Sequence, residues 1–159
     1  MPYHQTRWKL DALLPSHEGP EAEKALKTLE RKVKKVEGWR KKLKAAMPAK
    51  AFAALIDDYE SMIYDLHRLY GYAGLKFSED TQNQSALVFM NKIQQLYADV
   101  QNRTLFFSLW WKALDNVNAK RLMKMAGDRR YWLEEMRHFK PHTLSEAEEK
   151  IVNLKNVNG

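Results

Sequence analysis

Between Pro48 and Pro141 the chain holds no proline, and glycine appears there only at Gly71, Gly74 and Gly127. Proline removes a backbone donor and clashes with the preceding turn, so its absence over this span permits long uninterrupted helices. Apolar residues recur in the same span at intervals of three and four, and strand-type alternation is absent. The pattern predicts an all-α fold, an antiparallel bundle of two to three long helices plus several shorter C-terminal helices.

One domain is expected over residues 1–159, with 1–19 as an extended lead-in. Pro20 suits a first helical position, and Glu21 and Glu23 suit the positive end of the helix dipole. From there Ala22, Leu26, Leu29, Val33, Val36, Leu43 and Met47 form a nearly heptad stripe that Arg40 interrupts. This predicts a first helix over 20–46, a rod of about 40 Å. Glu23–Lys27, Glu30–Lys34 and Glu37–Lys41 are glutamate-first pairs four apart, the supportive orientation. A second helix is expected over 48–73, with Gly71 and Gly74 as its stops. Thr81 and Gln84 resemble a capping box that opens a third helix over 81–115. Shorter helices are expected over 118–155, broken near Gly127, the last opened by Ser145 and Glu148 as a second capping box.

Net charge is +7, and its location narrows the function. Residues 20–46 hold ten Lys/Arg and four Glu, so nearly all the excess lies in that segment. No stretch approaches the roughly 20 apolar residues of a membrane span, "LFFSLWW" (Leu105–Trp111) being far too short, and the N-terminus lacks the apolar core of a secretory signal. The chain has no cysteine, which suits a reducing compartment. A cytoplasmic protein without membrane partners is expected.

Candidate chemistry is sparse. His138 and His142 are four apart, but Pro141 between them prevents a shared helix face, so their use as zinc ligands with Glu146 or Glu149 loses to a loop and helix start. The remaining histidines, His4, His17 and His67, belong to no H-E-x-x-H pair. Asp57 and Asp58 project about 100° apart on a helix and do not form a catalytic pair. No nucleophile elbow and no glycine-rich phosphate loop occur. No catalytic, cofactor-binding or metal-binding residue is therefore assigned.

Four pieces in order resemble the N-terminal region of the oligoendopeptidase F family of thimet-type zinc metallopeptidases. They are "TRWKLDALLP" (Thr6–Pro15), "LYGYAGLKFSEDTQNQSA" (Leu69–Ala86), "FFSLWWKALD" (Phe106–Asp115) and "YWLEEMRHFKPHTLSEAEEKIVNLKNVNG" (Tyr131–Gly159). The resemblance implies a helical lobe in the wall of a deep cleft for short peptides, belonging to a cytoplasmic hydrolase. In that family the H-E-x-x-H zinc helix lies in a C-terminal catalytic region, so the chain is expected to be a fragment truncated before it and inactive alone. Zinc is expected in the full-length parent, with none in this chain. The catalytic region is the implied partner, and homo-oligomerisation through apolar surface is a further possibility of the resemblance.

A rival reading needs no family. A stand-alone helical module could bind an acidic partner or nucleic acid through the basic 20–46 helix, with Lys34, Lys35, Lys41 and Lys42 as contacts. Against nucleic acid, four glutamates interleave that segment in helix-supporting positions, and Trp39 can continue the apolar stripe.

Overall fold

The computed structural model describes residues 7–158. His4 and Thr6, used in the sequence reading, lie outside the described residues. The architecture is helical: α1 (Pro20–Glu37), α2 (Ala49–Glu79), α3 (Gln84–Ala113), α4 (Asn116–Met123), α5 (Arg130–His138) and α6 (Glu146–Asn158), and no strand occurs among the described residues. Short 3₁₀ turns occupy Arg40–Lys42, Gly127–Arg129 and Lys140–His142.

Two long helices form the frame. α2 has 31 residues and α3 has 30, so each spans about 45 Å. A tight turn joins them into a hairpin, α1 packs on both, and α6 packs on α3. Their shared core holds Leu29, Val33, Phe52, Leu55, Met62, Leu66, Leu69, Ile93, Val100, Phe107 and Trp111, all nearly or wholly inaccessible. The lead-in lies across the hairpin turn. Leu14 is buried, the Trp8 N–H donates to Glu79 Oε1 at 2.7 Å, and His17 Nε2 meets Ser85 Oγ at 2.9 Å.

α1 begins at Pro20 as expected, but stops at Glu37 instead of reaching residue 46. Arg40 falls where a continued helix would need an apolar residue. The chain leaves the helix at Gly38, and Arg40 reaches Glu146 at 3.2 Å and lies 5.4 Å from the Phe106 ring centre. Met47 is buried all the same, carried inward by a loop. Trp39, just past the helix end, is partly buried and packs against the core, its indole N–H donating to Asp58 Oδ2 at 2.9 Å.

Gly71 and Gly74 do not end α2, which runs on to Glu79. Buried Leu69, Tyr72 and Ala73 hold this stretch against the core, and that packing outweighs a glycine cost of about 1 kcal/mol each. Neither glycine has positive φ, and a Cβ at either meets nothing within 4 Å. Gly71→Ala and Gly74→Ala should therefore each stabilise the fold, by about 0.5–1 kcal/mol in urea unfolding. A loss of stability at either site would mean the glycine serves a packing contact.

The third helix starts at Gln84 and ends at Ala113, inside the expected 81–115. Thr81 is not its cap. Asp80 Oδ1 accepts from Gln82 N at 3.1 Å in a side-chain turn, and Asn83 Oδ1 accepts from Ala86 N at 3.0 Å. Asn is as good an N-cap as Thr or better, so the helix opens where Asp80 and Asn83 together satisfy the turn. The second capping box forms as read: Ser145 N donates to Glu148 Oε2 at 2.9 Å, and Glu148 N donates to Ser145 Oγ at 3.4 Å.

Candidate interaction surface

The titratable residues singled out in the sequence are dispersed by the fold. His138 Nδ1 faces Glu135 at 3.2 Å on its own helix, while His142 closes the 3₁₀ turn that Pro141 imposes. Glu146 binds Lys150 at 2.7 Å and Arg40, and Glu149 Oε1 accepts from Leu144 N at 3.3 Å. His67 Nε2 contacts Tyr97 Oη at 3.2 Å. Among the described residues no group of three or more His, Asp or Glu is placed to hold a metal ion. The donors among the described residues do not fit zinc. Asp57 and Asp58 also part company: Asp57 meets Arg129 on the α5 side at 3.0 Å, and Asp58 meets Lys35 on α1 at 2.7 Å.

The basic segment is partly neutralised by its neighbours. Lys32 bridges to buried Asp65, Lys35 to Asp58, Lys34 to Glu30 and Lys27 to Glu23. Two of the four glutamates turn to α3. Arg103 donates to Glu37 Oε1 and Oε2 at 2.8 Å each, to Glu30 at 2.8 and 3.1 Å, and to Asp99 at 3.3 Å. Its hydrogen bonds hold the Glu30 and Glu37 carboxyls below their ordinary range, and the two glutamates push the guanidinium further into its charged form. This node ties α1 to α3 from sequence separations of 66 and 73 residues, beyond any local pattern.

Beside α5 lies a groove of about 430 Å³, lined by Ile56, Tyr59, Ile63, His67, Arg129 and Trp132 among others. Its floor is aromatic. Trp132 stacks on Tyr59 at 5.7 Å and on Phe107 at 6.1 Å between centroids. Burial pushes the Tyr59 phenol up, so it stays neutral at physiological pH. Arg129 closes one rim through Glu60 at 2.6 Å, and the bond holds the Glu60 carboxyl below its usual range. The groove can hold an apolar side chain, and it pairs no nucleophile with a base. Sequence reading missed it because its residues come from α2 and α5, 69 positions apart at the Arg129–Glu60 bond.

Exposed apolar side chains are unevenly placed. Of the fourteen large ones among the described residues, nine lie between Val117 and Leu154. Tyr131 is 71% exposed, Phe139 61% and Ile151 56%. The nine are spread over α4 and the turn after it, α5 and the loop after it, and α6.

The same part of the chain carries the recognisable sequence. Residues 110–159 match the family model Peptidase_M3_N, described as Oligopeptidase F. The match takes in the whole of the Tyr131–Gly159 piece and the end of the Phe106–Asp115 piece, whereas Thr6–Pro15 and Leu69–Ala86 lie outside it. No curated protein and no solved structure matches the chain.

Proposed function

With residues 110–159 read as an oligopeptidase F N-terminal segment, we propose that the chain is the helical N-terminal lobe of a cytoplasmic zinc oligopeptidase. In this reading it walls part of the peptide cleft and has no catalysis of its own. The observation that carries it is a coincidence of position. The matched residues hold nine of the fourteen exposed large apolar side chains, a surface suited to packing against a further region of a peptidase. α5 and α6 carry five of the nine, Tyr131, Trp132, Ile151, Val152 and Leu154, and α5 is held to the bundle through buried Leu133 and the stacking of Trp132 on Phe107. The chain's own residues supply rigidity and shape, and the implied zinc with its hydrolytic chemistry belongs to the partner region.

The chain alone should leave a quenched peptide intact in the presence of zinc, and chelator-sensitive hydrolysis by it would overturn the lobe reading. Mixed with the separately produced catalytic region of an oligopeptidase F, it should form a complex on size-exclusion chromatography. Tyr131→Ser and Phe139→Ser should each weaken that complex roughly tenfold, as truncated interface anchors do. Because both side chains are mostly exposed, the melting temperature should stay put. A complex untouched by either change would move the interface elsewhere on the lobe.

A further inference from the structure

The second feature of this fold is a cationic pole whose lysines the peptidase reading does not use. Two stretches, residues 38–56 and 116–127, together hold eight Lys/Arg and not one Asp or Glu. They are far apart in sequence and adjacent in space: Arg121 Nη2 donates to the Ala45 carbonyl at 2.8 Å, and α4 packs on α2. Arg40 is turned away to Glu146, and Arg121 serves as the clamp. Lys41, Lys42, Lys44, Lys50, Lys120 and Lys124 are left, all exposed, and none forms an ion pair among the described residues. Lys42 Nζ lies over the Trp39 ring, 4.6 Å from its centre. Pro48 gives α2 no capping side chain and its first turn holds no acid, so the positive end of that dipole adds to the same field.

We infer that this pole docks the phosphodiester backbone of duplex nucleic acid without reading its sequence. Six unpaired lysines with no interleaved carboxylate match a polymer that carries one charge per roughly 1.7 Å of axis. Recognition of single strands uses exposed rings for base stacking. The pole offers none, since Trp39 is partly buried and its N–H is tied to Asp58. An anionic bilayer is a poorer fit. The only large apolar side chains exposed on α4 and the turn after it are Val117 and Met125, fewer than an interfacial helix sets into the acyl boundary. The sequence pattern placed the charge on the 20–46 helix. The structure removes Lys32, Lys34 and Lys35 from it and brings in α4, which that pattern did not include.

The test is fluorescence anisotropy with a labelled 20-base-pair duplex across a salt series, using the whole chain. Wild type should bind with log affinity falling about five units per decade of salt if all six lysines neutralise phosphates. Lys41→Gln/Lys42→Gln/Lys44→Gln and Lys120→Gln/Lys124→Gln should each lower affinity at least tenfold at low salt. Their salt slopes should flatten by about one unit for every phosphate the variant no longer neutralises. Lys24→Gln/Lys27→Gln removes charge from the exposed face of α1 and should stay within twofold. Circular dichroism checks that every variant keeps its fold. Equal losses in the α1 variant would reduce the effect to net charge and overturn the site. So would polyglutamate or phosphatidylglycerol vesicles competing as well as duplex at matched charge, a preference for single strands, or no binding at low salt. None of these outcomes bears on the complex with a catalytic region, so the two readings stand or fall separately.

Discussion

Trp111→Ala should lower unfolding free energy by about 4 kcal/mol, the largest single loss expected in this chain. Trp111 is wholly buried and joins three helices. From α3 it stacks on Phe52 of α2 at 5.1 Å, donates its indole N–H to the Leu133 carbonyl of α5 at 2.9 Å, and lies 5.6 Å from the Arg137 guanidinium. Truncating a buried Trp costs about 3–5 kcal/mol through lost transfer energy and residual cavity, with roughly 1 kcal/mol belonging to the hydrogen bond. For a chain of this size that lowers the melting temperature by about 8–16 °C. Trp111→Phe keeps the stack and loses the donor and part of the volume, so about half the effect should remain. Urea unfolding followed by circular dichroism measures both. A loss below about 1 kcal/mol for Trp111→Ala would show that α5 does not depend on this joint. Because α5 carries Tyr131, the alanine variant should also lose affinity for a catalytic region, out of proportion to any change at the surface itself.

What the sequence could tell about this fold was local. Pro20, the Ser145–Glu148 reciprocal cap and the break at Gly127 are decided within four residues, and each occurs where the pattern puts it. Helix ends decided by remote partners were misplaced. α1 stops early because Arg40 has a better position near Glu146, 106 residues away, and α2 passes Gly71 because Tyr72 and Ala73 after it are buried, then runs on through Gly74 to Glu79. The candidate surfaces follow the same division. The charge excess on 20–46 was visible, but its neutralisation by Asp58 and Asp65 and its replacement by a pole shared with α4 required the packing of α1, α2 and α4. The aromatic groove needed α5 set against α2. Family resemblance spans this gap differently, since residues 110–159 carry a recognisable order without revealing which of their side chains face outward.

Arg137 shows how much one residue in that segment does without looking functional, and its loss is the second large effect expected. α3 ends at Ala113, and Leu114 leaves helical geometry with ψ 141, so the last carbonyls of the helix have no partner of their own. Arg137 supplies one from α5. It donates to the Trp111 carbonyl at 2.6 Å, to the Leu114 carbonyl at 2.8 Å and to Asn116 Oδ1 at 2.9 Å. The guanidinium thereby closes α3, meets the negative end of its dipole and fixes the first residue of α4. Arg137→Met should cost about 2–3 kcal/mol, because hydrogen bonds to a charged donor are lost and partly buried carbonyls are left behind. Arg137→Lys separates two explanations. If charge at the helix end is what counts, lysine should restore most of the loss. If the planar fork that binds two carbonyls at once is what counts, lysine should fall nearer methionine than wild type. The 2.6 and 2.8 Å bonds on separate nitrogens favour the fork. Hydrogen exchange gives the local readout: in both variants the amides at the end of α3, including that of Leu114, which donates to Trp110 at 3.0 Å, should exchange faster than those at its centre. Unchanged protection there, with stability lost elsewhere, would mean Arg137 acts through α5 alone.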